Sequence, residues 1–100
     1  MLLKRELLDQ IKAGEVDLVF RRWSRPTVKA GGTLKTKVGV LRIGAITDMD
    51  PADVSDAEAR RAGFAGVAEF HRWLDTMKPG HLFHRIEVRF ASEAQNGTGA

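Results

Sequence analysis

Phe20-Arg21-Arg22-Trp23-Ser24-Arg25-Pro26-Thr27-Val28-Lys29-Ala30-Gly31-Gly32-Thr33-Leu34-Lys35-Thr36-Lys37 carries six basic residues and no acid. An apolar alternation leads into it, and a second one leads out. Pro26 and the Gly31-Gly32 pair punctuate the middle as loop residues do. The pattern predicts two strands joined by a basic loop over residues 24–36, with Trp23 at its base. Such a loop seeks an anion, and nucleic acid is the first candidate. A solubilising surface hairpin is the plainer reading, because charge runs usually meet water. Gly31-Gly32 permits positive φ and a close approach to a ligand, and its amides are candidates for an anion nest.

Upstream, Leu3, Leu7, Leu8 and Ile11 recur at helical spacing, so residues 2–13 read as an amphipathic helix stopped by Gly14. Residues 16–23 read as a strand. Val16, Leu18 and Phe20 share one face; Val19, Arg21 and Trp23 share the other, expected to be partly open or a cleft wall. Downstream, residues 37–45 read as the next strand. Val38 and Val40 are out of phase with Leu41 and Ile43, which predicts a β-bulge near Gly39 or a strand passing between two layers, with a further bend at Gly44.

An acidic turn follows at residues 48–54, then a capping box with Ser55 as N-cap and Glu58 three residues on. That short helix ends at Gly63. A second helix spans residues 67–77, with Phe70, Trp73, Leu74 and Met77 on one face, and Pro79-Gly80 closes it. Residues 81–91 alternate as a strand, with His84 in register with Leu82, Ile86, Val88 and Phe90. Residues 92–100 are polar and glycine-rich and read as a disordered tail, leaving one domain over 1–91. The expected class is α+β: a small closed or half-closed sheet with flanking helices.

Composition narrows the chemistry. The chain has 100 residues, a net charge of +3 and no cysteine, which excludes disulfides, thiol nucleophiles and thiolate metal sites. No apolar run approaches the length of a membrane span, and charges break up the first residues, so a cytoplasmic protein is expected. His81 and His84 fall on opposite faces of a strand, and no third ligand joins them, so no metal and no cofactor are expected. Ser24, Thr27, Thr33 and Thr36 carry no nucleophile motif. Trp23 either stacks on an unpaired base or covers the sheet's open face beneath an arginine.

The order of elements, with Ile11-Lys12-Ala13-Gly14, Phe20-Arg21, Gly31-Gly32-Thr33, Val40-Leu41-Arg42-Ile43 and the last strand, resembles the ASCH domain family of the PUA-like superfamily, in a short actinobacterial-type subgroup with a Phe-Arg-Arg-Trp segment. The resemblance implies a β-barrel of about five strands with helices at one side. It also implies a cleft between barrel and helices suited to RNA or a nucleotide-like ligand. Family hydrolases of modified cytidines resemble Gly-x-Lys-x-x-Thr-x-Arg. Here the glycine and arginine positions are Gly14 and Arg21, while the lysine and threonine positions hold Val16 and Val19.

The expectation is therefore a binding module for RNA, with DNA as second candidate, and no catalytic residue. The contacts expected are Arg21, Arg22, Trp23, Arg25, Lys29, Lys35 and Lys37, with Arg21 lining the cleft and the loop lysines outside it. The alternatives are a small hydrolase of a modified nucleoside or of RNA, and a domain that meets an acidic protein surface. Oligomeric state stays open.

Overall fold

The structure, a computed structural model, describes residues 3–77 and 80–93. Its elements run α1 (Arg5–Lys12), β1 (Leu18–Trp23), β2 (Thr33–Thr36), β3 (Gly39–Asp48), a 3₁₀ turn (Pro51–Asp53), α2 (Asp56–Arg61), α3 (Val67–Asp75) and β4 (Leu82–Glu93). The four strands form one antiparallel sheet in the order β1-β4-β3-β2, curled into a half-barrel. The fold is α+β, with three α-helices among the described residues. None of the described helices is long and apolar enough to cross a membrane.

Two cores, one on each face of the sheet, fix this arrangement. On one face Val19, Leu41, Ile43, Ile86 and Val88 pack with Leu8 and Ile11 of α1. On the other, Leu18, Phe20 and Phe83 pack with Ala59 of α2 and with Phe70 and Leu74 of α3. Phe20 lies stacked on Phe83 at 5.7 Å and tilted against Phe70 at 5.1 Å. Truncating one such buried ring costs about 3–5 kcal/mol. Because successive strand side chains alternate faces, β1 feeds both cores at once. The face carrying Val19, expected to be partly open, is therefore buried at that residue, which is 3 % exposed.

Local chemistry explains most boundaries. Gly14, at φ 81°, turns the chain out of α1. The capping box is in place: Ser55 Oγ accepts from the Glu58 amide at 3.1 Å, and Glu58 accepts from the Ser55 amide at 3.0 Å. The second oxygen of Glu58 accepts from Arg85 Nε at 2.8 Å, tying the start of α2 to β4. The phase break in β3 is a pair of register shifts against β4, at Val40/Leu41 and Ile43/Ile46, with Gly44 inside the second.

The segment read as a continuous loop over 24–36 ends instead in β2, paired with β3 through Thr33↔Arg42 to Thr36↔Gly39. Its turn is closed by side chain: Thr36 Oγ1 donates to the Gly39 carbonyl at 2.7 Å and accepts from the Val38 amide at 3.3 Å. Helix α3 stops at Asp75, and Pro79 lies outside the described residues. Ser92 and Glu93, read as tail, extend β4, while 94–100 lie outside the described residues.

Candidate nucleotide-binding cleft

Strand β1 is an edge strand, so one side of its backbone has no neighbouring strand among the described residues. Helix α1 covers one face beside that edge and α3 the other. Between them runs a cleft of about 450 Å³, within the range of small-ligand sites. Val19, Phe20 and Arg21 form its floor. Leu7 and Gln10 line it from α1; Phe64, Glu69, Trp73 and Met77 line it from α3 and its flanks.

Arg21 is the cation at the floor of this cleft. Its Nη1 donates to the Phe20 carbonyl at 3.0 Å, folding the guanidinium back along the strand. Burial holds the Arg21 guanidinium below the ordinary arginine range, because removal of water disfavours the charged form. Arginine stays protonated under such a shift. An anion in the cleft thus meets a charge less shielded by water than those on the exposed loop.

The aromatic wall was not anticipated as part of a site. Phe64 and Trp73 both pack against the core, yet both are half-buried and also line the cleft. Their rings lie 5.2 Å apart. The core takes only Phe70 and Leu74 fully from α3, so its apolar stripe is wider than the sheet can cover. That surplus, Trp73 beside Arg72 with Met77 one turn on, is the signal in the sequence. Glu69 is spoken for locally: its Oε1 accepts from the Ala65 amide at 3.0 Å, ahead of α3.

The seven expected contact residues do not share one groove. Arg21 alone lines the cleft. Arg22 lies half-buried opposite Phe83, on the face beneath α3. Arg25 and Lys29 are exposed on the connection to β2. Lys35 is exposed on β2, opposite Val40, and Lys37 is exposed in the turn.

Trp23 is half-buried against the α1 core, opposite Leu82. Its Nε1 donates to His84 Nδ1 at 2.6 Å, and His84 Nε2 lies 2.6 Å from Asp48 Oδ1. An indole N–H only donates, so Nδ1 accepts and the ring proton sits on Nε2, facing the carboxylate. Both ring nitrogens of this 6 %-exposed histidine are therefore occupied.

The glycine pair is no anion nest. The Gly31 amide donates to the Ile43 carbonyl at 2.9 Å, and the Gly32 amide donates to the Lys29 carbonyl at 3.0 Å. Gly31 does take positive φ, at 79°, and with it the loop docks on β3. Among the described residues no group of three or more His, Asp or Glu side chains comes together as a metal site would need.

No family model, no curated protein and no solved structure matches the chain.

Proposed function

We propose that this domain binds RNA or a nucleotide-like ligand, seating one base in the cleft between α1, the β1 edge and α3. The observation that carries the reading is Arg21, desolvated on the cleft floor opposite the Phe64–Trp73 wall. Arginine suits phosphate by charge and by its planar fork of donors. A half-buried tryptophan offers a stacking surface worth about 1–3 kcal/mol per base. The exposed cations Arg25, Lys29, Lys35 and Lys37 supply a long-range field that draws in a polyanion.

The reading agrees with an ASCH-type, PUA-like domain, in which the cleft beside the sheet is the ligand seat. Binding is favoured over hydrolysis by the valines. Val16 and Val19, at the positions where the family's hydrolases carry lysine and threonine, are core residues 2 % and 3 % exposed.

Fluorescence anisotropy with labelled single-stranded RNA, transfer RNA and duplex DNA at two salt concentrations tests it. The expected result is RNA binding that weakens with salt by about 0.7 log unit per log unit of salt for each phosphate neutralised. Arg21→Ala weakens it at both salt concentrations. A salt-independent response, or equal binding by Arg21→Ala, rejects the reading. Breakdown of an acylated cytidine or of the RNA pool, lost in Arg21→Ala, would replace it with the hydrolase reading.

A further inference from the structure

We propose a second anion site, for a phosphoryl group, on the sheet face away from α1, built on the cross-strand pair Arg42 and Arg89. The two residues are direct partners in the β3–β4 ladder. Side chains opposite each other in an antiparallel pair lie about 5 Å apart at Cβ, and like charges there oppose folding. Neither arginine has a carboxylate within ion-pair distance among the described residues. The carboxylates nearby are already engaged. Asp17 accepts from Arg61 Nε at 2.9 Å and Nη2 at 3.1 Å, and Glu87 accepts from Arg85 Nη1 at 3.2 Å. An uncompensated arginine pair on a sheet is a cost that a bridging anion lowers.

The surroundings are concave. Arg42, Arg89 and Arg61 line a hollow of about 410 Å³ with Asp17, Glu87 and Gly44. Gly44 keeps the floor open at the β-bulge: a Cβ there would stand 3.0 Å from the Glu87 Cβ and 3.1 Å from its Oε1. The hollow shares no lining residue with the Arg21 cleft. Two planar guanidiniums on adjacent strands can grip separate oxygens of one phosphoryl group, and arginine's planar fork suits that geometry better than lysine's point charge. The group can be a free phosphomonoester or a phosphodiester of a nucleic acid backbone.

The test is a titration of the folded protein with pyrophosphate at constant ionic strength, followed by the arginine Nε–H resonances. Saturable shifts are expected at Arg42 and Arg89. Arg42→Gln and Arg89→Gln each weaken binding at these two resonances at least tenfold, and substitution of an exposed arginine outside both hollows, Arg5→Gln on α1, leaves it unchanged. The anion-free melting temperature of either glutamine variant is expected to equal or exceed that of the parent, because a like-charge contact is lost. The proposal is overturned by shifts that do not saturate, by equal shifts with chloride, by loss of the Arg42 and Arg89 shifts in Arg5→Gln, or by a lower anion-free melting temperature in Arg42→Gln or Arg89→Gln. Trinucleotides with a 5′-phosphate or a 5′-hydroxyl separate the sources. Binding of the phosphorylated form alone assigns a monoester, and equal binding of both assigns the backbone diester. Failure of pyrophosphate and of both trinucleotides to move the Arg42 and Arg89 resonances overturns the site, while trinucleotide shifts at Arg21 and Trp73 in the same spectra report separately on the cleft.

Discussion

Trp23 donates its indole N–H to Nδ1 of His84 at 2.6 Å, across 61 positions of sequence, and so sets the tautomer of a buried histidine. The imidazole then presents Nε2–H to Asp48, whose side chain is 89 % exposed. This chain of two hydrogen bonds runs from β1 through β4 to the end of β3, pinning the three strands where Trp23 meets the α1 core. A ring protonated on both nitrogens would bring two N–H groups face to face.

Trp23→Phe leaves Nδ1 of His84 buried without its donor. The expected loss of stability is about 1–3 kcal/mol, the cost of an unsatisfied buried polar atom. Long-range ¹⁵N correlation spectra of the parent should show Nδ1 unprotonated and Nε2 protonated. Melting curves check the stability, and an unchanged melting temperature would remove the hydrogen bond's structural role.

Gly80 carries a related prediction. A Cβ at Gly80 would stand 2.7–2.9 Å from the Trp23 backbone. Backbone cannot yield as a side-chain tip can, so Gly80→Ala should displace β1 from the start of β4. The expected readout is a lowered melting temperature together with a changed Trp23 indole N–H resonance.

These two residues also show where the sequence was legible. Periodicity was enough for α1, β1, β4 and the capping box of α2, because each is a local pattern backed by burial on a matching face. It was not enough for β2. Thr33–Thr36 is four residues long, and its turn at Lys37-Val38 lacks the Asn-Gly or Asp-Gly signature of a tight hairpin. The Thr36 hydroxyl and Gly39, at φ 141°, do that work instead. The candidate site was half legible. Arg21 was placed by its strand register, whereas Phe64 and Trp73 pack against the core, and an apolar helix face does not announce that its margin also lines a cleft. The role of Trp23 depends on His84, a partner that no local pattern could supply.

Acid sensitivity should centre on Glu58. Its carboxyl is held below the usual glutamate range, first by the hydrogen bond from the Ser55 amide and further by the Ser55 hydroxyl and Arg85. A depressed folded-state value stabilises the fold above the unfolded value, near 4.5, and that contribution disappears as pH falls through the folded value. Glu58→Gln is therefore expected to lower stability at pH 7 by about 1 kcal/mol, the scale of a lost cap. The gap between the two proteins should close as pH drops below 4.5. Urea titrations across that range check it, and a gap constant with pH would contradict it.

Trp73→Ala separates the wall of the cleft from its floor. Its ring lines the cleft, while Phe70 and Leu74 anchor α3 in the core. The expected effect is a loss of about 1–3 kcal/mol in RNA affinity, the worth of one stacked base. The salt dependence should stay as in the parent, because no phosphate contact is removed. Anisotropy at two salt concentrations distinguishes this from Arg21→Ala, which should also flatten the salt response.

The most direct measurement is a ¹H–¹⁵N map of the protein titrated with a short single-stranded RNA. Binding in the cleft between α1, the β1 edge and α3 predicts that Arg21 Nε–H, Trp73 Nε1–H and the Gly63 amide shift together, saturably and before the exposed loop. Shifts confined to Arg25, Lys29, Lys35 and Lys37, with the cleft resonances unmoved, would contradict the cleft as the ligand seat and leave the basic residues as a diffuse charged surface.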